Sequence, residues 1–183
     1  MTEPGTFGIL ADQALDGEVP SREQCRNVLE SEDAKLLALL DAAFTVRRHH
    51  FGVVVQLHVL KNAKSGLCKE DCHYCSQSSV SDAPIDRYAL QTSEEILNGA
   101  MQARSGGAKV YCIVTSGRNP TDNEVDQLCG TVRTIKKQID IDICCCLGLL
   151  SAQQADRLKS AGVNRVNHNL NTSESHHGEI VTT

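Results

Sequence analysis

At 183 residues the chain can bury one sizeable core, and 40% hydrophobic content with 3% aromatics and no Trp favours aliphatic helices over strands rather than a β-sandwich. A formal net charge of -5 and a pI near 5.8 leave no basic stripe to neutralise phosphates, so nucleic acid is not expected as a partner. There is no run of about 18 apolar residues, and MTEPGTFGILADQ has neither a basic nor an apolar leader segment, so the sequence predicts a cytoplasmic protein with no membrane span and no export signal.

The first predicted element is helical. Between Ser21 and His50, Ser21 and Gln24 form a capping-box signature, and Leu36, Leu39, Leu40, Ala43 and Phe44 recur at helical spacing. Residues 1–50 therefore read as an N-terminal helical segment and 51–183 as the main domain. In that domain VVVQLHVL (53–60), AKVYCIV (108–114), IDIDICCCL (139–147) and VNRVNHNL (163–170) read as strands. Each helix between them opens on the same device: Thr92 with Glu95, Thr121 with Glu124, and Ser151 with Gln154. Gly106, Gly107 and Gly162 sit where helices should stop. Strand and helix alternating in this way predict parallel strands joined by crossover helices, either a doubly wound sheet or a β/α barrel. No GxGxxG follows the first strand, which counts against the dinucleotide-binding version.

Nine cysteines in a reducing compartment suit ligands or reactive thiols better than disulfides, and an odd number cannot all pair internally. Three of them, Cys68, Cys72 and Cys75, fall in CKEDCHYC as C-x3-C-x2-C. This segment follows the first strand and so occupies the first βα loop, on the rim where both candidate architectures build sites. Cys112 lies in the second strand and Cys144 to Cys146 in the third. A structural zinc site wants four closed ligands, and here the fourth would have to be His73 or a distant histidine. An iron-sulfur cube normally takes four thiolates, but held by three it keeps one iron open. The amino and carboxylate groups of a ligand such as the methionine end of S-adenosylmethionine can chelate that iron. This reading outweighs zinc or adventitious thiols.

The C-x3-C-x2-C loop after the first strand resembles that of the radical S-adenosylmethionine enzymes. The longer text NAKSGLCKEDCHYCSQSS, VYCIVTSGRNPTDNEVDQ, ICCCLGLLS and VNHNLNTSESHHGEIVTT resembles the biotin synthase family. The N-terminal stretch SREQCRNVLESEDAKLLALLDAAFTVRRHHFG resembles that family's leading helices, so the likeness covers nearly the whole chain. It implies the first half of a (β/α)8 TIM-type barrel preceded by N-terminal helices. Cys68, Cys72 and Cys75 would hold a [4Fe-4S] cluster, and Tyr74 would lie near the adenine of S-adenosylmethionine. Cys112 and Cys144 would be two ligands of a [2Fe-2S] cluster that donates sulfur to dethiobiotin. The resemblance also implies a homodimer and an external electron donor such as a flavodoxin or ferredoxin.

Strand alternation puts Cys144 and Cys146 on one face and Cys145 on the other, so geometry alone leaves open which of Cys144 and Cys146 is the ligand. Cys112 and Cys144 could also be small buried hydrophobes, and Cys25, Cys129 and Cys145 read as packing residues. At the end of the fourth strand NHNLN presents uncharged amides suited to hydrogen-bonding a ribose, a carboxylate or a ureido ring. By resemblance Asn167, Asn169 and Asn171 contact S-adenosylmethionine or dethiobiotin, although some relatives have Asp at the position of Asn171. His168 reads as a structural histidine and His176 and His177 as a solvated loop, while Ser116, Gly117 and Arg118 close the second strand near a ligand-binding loop. Lys69 stands where the family usually has Pro, which loosens the loop without removing a ligand. Four βα strands are predicted where a full barrel needs about eight, so the alternative to an active enzyme is a truncated iron-sulfur-binding fragment or a different enzyme of the same superfamily. Such a half-barrel would expose strand edges and an apolar interior.

Overall fold

The computed structural model describes residues 5–183, which fall into two compact units divided between Val55 and Gln56. In the first unit helices α1 (Thr6–Leu15), α2 (Arg22–Leu29) and α3 (Leu36–Phe51) follow one another, with a short 3-10 turn at Asp33–Lys35. The expected capping box closes the start of α2: Gln24 N donates to Ser21 Oγ at 3.2 Å and Ser21 N to Gln24 Oε1 at 2.7 Å. Helix α1 has no such signature, because its N-cap, Gly5, carries no side chain to accept the free amides. It is held by packing instead, with Ala11 buried on α1 and Ala42 on α3. Cys25, expected to pack, is exposed on α2.

The second unit carries strands β1 (His58–Lys64), β2 (Val110–Thr115), β3 (Asp142–Cys146) and β4 (Arg165–Val166), and helices α4 (Ser93–Ser105), α5 (Asp122–Gln138), α6 (Ala152–Ala161) and α7 (Glu174–Ile180). Helices α4, α5 and α6 each open on the expected capping box, with both reciprocal hydrogen bonds present. Gly162 ends α6 in the left-handed conformation, at φ 106°, where a glycine costs least. All strand pairs are parallel and the order is β1-β2-β3-β4. This sequential order belongs to a barrel wound in one direction; a doubly wound sheet reverses its order part-way.

One sheet face is covered by α4, α5 and α6. Tyr111, Ile113, Ile143 and Cys145 point into that layer and pack with Ile96, Leu128, Val132, Ile135 and Leu158, all at most 1% exposed. The core holds Cys129 and Cys145 as expected, and burial pushes both thiols above their ordinary range. The other face, the barrel interior, carries Leu60, Cys112 and Cys144 in one register row.

Two strand boundaries differ from expectation. The β-branched run Val53–Val55 lies outside β1 and is largely exposed, and β1 continues through the polar residues Lys61, Asn62 and Lys64. Strand extent follows the neighbour rather than propensity: β2 begins at Val110, which faces His58. Lys64 is accommodated by an ion pair with Glu124 at 2.7 Å. The fourth strand contracts to Arg165–Val166, and its polar continuation leaves the ladder after Asn167 N donates to Cys145 O at 2.8 Å.

Candidate functional site

The site starts where β1 ends. A register shift between Asn62 and Lys64 makes the ladder with β2 irregular, Lys64 still pairs with Thr115, and Ser65 beyond it pairs with Tyr88 through two backbone hydrogen bonds of 3.0 Å. That pairing closes the base of a long βα loop, in which the segment Cys68–Cys75 runs along the sheet rim. Inside the loop Cys75 N bonds Cys72 O and Ser78 N bonds Cys75 O, both at 3.1 Å, so the thiols ride on consecutive tight turns. Gln77 N donates to Cys75 Sγ at 3.4 Å, and its side chain accepts from Gly66 N at 2.9 Å.

A cavity of about 410 Å³ opens above the carboxyl ends of the strands. Cys68, Cys72, Cys75 and Tyr74 line it from the first loop, and Ser116, Gly117 and Arg118 from the end of β2. Cys146, Gly148 and Leu149 line it from β3 and the turn after it. His168, Asn169 and Asn171 follow from beyond β4, and His177 from α7. Gly148 has to be glycine: its φ is +79°, and a Cβ there would lie 2.2 Å from Arg118 O. Leu149 N donates to that same carbonyl at 2.8 Å, which fastens the second rim loop to the third.

The predicted residues separate into two groups. Tyr74, Asn169 and Asn171 share the cavity with the three loop cysteines, whereas Asn167, Cys112 and Cys144 lie outside its wall. Asn167 is tied to the cavity indirectly, donating to Cys146 Sγ at 3.8 Å and to Asn169 Oδ1 at 3.3 Å. The Tyr74 phenol is held above its ordinary range by desolvation first, then by a hydrogen bond with Cys72 and the charges of Cys72 and Cys75; a hydrogen bond with Asn171 works the other way. Asn171 adopts φ 65°, a conformation that asparagine tolerates better than most residues.

Cys112 and Cys144 are register neighbours on the interior face, one level below Cys146. The Cys112 thiol is pushed up to about 12 by burial first, then by its hydrogen bond with Cys144 and the charges of Cys144 and Cys146, against the pull of Arg165. Both Cys144 and Cys146 face the interior, as alternation requires, but they differ in height: Cys144 pairs with Cys112, and Cys146 reaches the cavity.

Several cavity residues were missed or misread. His176 and His177 are exposed as expected but belong to helix α7 rather than a loop, and His177 lines the cavity. His168, expected to be a structural histidine, is exposed and lines it too. Glu70, Gln77, Gly148 and Leu149 carried no signal beyond their nearness to cysteine or glycine motifs.

The donor set fits an iron-sulfur cube with an open corner. Three thiols from one loop share a wall, a backbone N–H already points at one sulfur, and Ser116, Asn169 and Asn171 add uncharged polar groups to the same cavity beside Arg118. Among the described residues no three His, Cys, Asp or Glu side chains converge on a shell for a single metal ion. Ser116 Oγ is buried in the same wall without a hydrogen-bond partner, so a polar ligand in the cavity would satisfy it.

The Radical SAM superfamily model matches residues 64–182, from the end of β1 to the cavity's last wall. The chain belongs to the radical SAM superfamily. It is 49% identical over 180 residues to a biotin synthase of Rhodopirellula baltica, covering 98% of this chain and 50% of that protein. With a biotin synthase of Lysinibacillus sphaericus the identity is 50% over 173 residues, covering 94% and 52%. The chain thus spans about half the length of the curated relatives it matches. The FeFe-hydrogenase maturase HydG of Carboxydothermus hydrogenoformans superposes with a TM-score of 0.76 at 20% identity, covering 97% of this chain and 41% of that one; the likeness is one of fold.

Proposed function

We propose that this chain belongs to a biotin synthase and carries its cluster-binding half, with dethiobiotin as substrate and biotin as product. The observation that carries the reading is that three thiols of one βα loop and the amides beyond β4 line a single cavity. When bound, a [4Fe-4S] cluster on Cys68, Cys72 and Cys75 supplies the electron that cleaves S-adenosylmethionine. The chain's own residues bind and orient. Tyr74 offers an aromatic face and a hydroxyl beside the loop thiols, suited to an adenine. Asn169 and Asn171 offer donors and acceptors without adding charge, and Asn167 sets the orientation of Asn169 by donating to it. Cys112 and Cys144, adjacent on the interior face, would be two ligands of a [2Fe-2S] cluster that supplies sulfur. A homodimer, an external one-electron donor and a cytoplasmic setting complete the proposal; loop thiols that serve as cluster ligands suit a reducing compartment.

The reading is tested by anaerobic reconstitution with iron and sulfide. About four iron and four sulfide per chain are expected at the loop, with a visible charge-transfer band that Cys72→Ala abolishes and that S-adenosylmethionine perturbs. Uptake of zinc in a closed four-ligand shell, with no affinity for iron, would overturn it. Because the chain spans half of its relatives' length, a cluster that responds to S-adenosylmethionine without forming biotin from dethiobiotin would assign it the binding step alone.

A further inference from the structure

The three-cysteine loop does not stand alone on the rim. Between the first and second cysteine lie Glu70 and Asp71, and both carboxylates are engaged with other rim segments. Asp71 accepts from Thr182 N at 2.9 Å and Thr183 N at 3.3 Å, and from the hydroxyls of Thr182 and, at 3.0 Å, Thr183. Its own amide donates to Thr183 Oγ1 at 3.2 Å. Two residues on, His73 N donates to Ile180 O at 3.0 Å. Glu70 pairs with Arg118 of the second rim loop at 3.1 Å and meets Thr183 Oγ1 at 3.1 Å. The backbone carbonyl of Glu70 holds Ser79 N at 2.9 Å, from the far side of the cysteines.

These contacts converge on the residues flanking Cys72, the central thiol. Without them Cys68–Cys75 would be a mobile rim loop, and ordering it would oppose metal binding. We propose that Asp71 is a positioning residue, clamping the cysteine loop to the Ile180–Thr183 segment so that Cys72 is preset for its ligand role before iron arrives. Glu70 extends the clamp to the second rim loop through Arg118. The loop and the segment after α7 then move as one body, so rearrangement of that segment reaches the cluster site directly. The ligand role of Cys72 rests on the function proposed above; the clamp itself does not.

The test therefore has one arm without metal and one with it, both on the full chain. In the metal-free chain, hydrogen exchange is followed at the amides of Asp71 and His73. Asp71→Ala and Thr182→Val should each speed it by about tenfold, as expected for loss of charge-assisted hydrogen bonds. The two effects should be less than additive in the double variant, because both break the same contact. Exchange in Asp71→Ala within twofold of the parent, or full additivity, would overturn the clamp. After anaerobic reconstitution, iron removal by a ferrous chelator should be about tenfold faster in Asp71→Ala, with Asp71→Glu closer to the parent and the unfolding midpoint of the metal-free chain little changed. Equal rates of iron removal would overturn the presetting role. A parent chain that takes up no iron would defeat the cluster reading, while the exchange arm would still decide the clamp.

Discussion

Tyr111 and Gly148 show what single residues contribute to this framework. The Tyr111 hydroxyl is buried beneath α4 and donates to Ile96 O at 3.0 Å, so Tyr111→Phe should cost about 1 kcal/mol by removing that buried hydrogen bond, as read from the urea midpoint. Burial also raises the Tyr111 phenol well above the ordinary tyrosine range. The folded chain thus keeps its proton where the unfolded chain loses it. The associated stability is complete below the ordinary tyrosine range and is lost as pH rises through and beyond it. Tyr111→Phe should accordingly flatten the alkaline limb of the stability profile; an unchanged limb would assign alkaline loss to other groups. At Gly148 the left-handed φ and the nearby Arg118 carbonyl act together, and Gly148→Ala should destabilise by about 3 kcal/mol in the same measurement.

At the level of elements, the unit Gln56–Thr183 is a series of helices started in the same way and attached to the sheet by different means. Glu124 does two jobs at the start of α5. Its carboxylate accepts from Thr121 N at 2.8 Å as the capping box, and from Lys64 Nζ at 2.7 Å, joining the helix to the end of β1 just before the cysteine loop. Desolvation raises its pKa, but the hydrogen bonds from Lys64 and Thr121 outweigh that and leave it lowered. The sign follows from linkage: this stability is complete above the ordinary glutamate range and is lost as pH falls through and below it. Glu124→Gln should lower stability at neutral pH by about 1–2 kcal/mol and make the acid limb shallower. Denaturation followed from neutral pH down to pH ~3 checks both. The four boxes were legible because each is local, a hydroxyl and a carboxyl or amide three residues apart. Helix α7 was not, since Ser173 makes no side-chain cap hydrogen bond and the His-His pair reads as polar surface.

For the whole molecule, the sequential strand order decides between the two architectures the sequence allowed. Among the described residues β1 and β4 each pair along one side, and Leu60 on the interior face is 63% exposed. An apolar interior open to solvent favours association between copies. Leu60→Thr, which introduces a β-branched, strand-favouring side chain and removes apolar area, should reduce concentration-dependent association of this chain in sedimentation experiments while costing less than about 1 kcal/mol of stability. An association profile identical to the parent's would place the sticky surface elsewhere.

What the amino-acid sequence determined by itself is whatever depends on near neighbours along the chain: the C-x3-C-x2-C spacing, the capping boxes, the helix stops and the alternation that turns Cys145 away from Cys144 and Cys146. Tertiary structure alone decided the rest. The polar end of β1 became strand because β2 lies beside it, while Val53–Val55, better strand formers, remained outside. Cys144 sits level with Cys112, and Cys146 one step higher faces the cavity, a distinction set by register between strands. His168 and His177 line the cavity because separate segments end on the same rim. Asp71 meets Thr182 across 111 residues of chain. The physical reason is common to all four: a contact between distant segments forms when the whole sheet closes, and no local pattern records which partner waits on the other side.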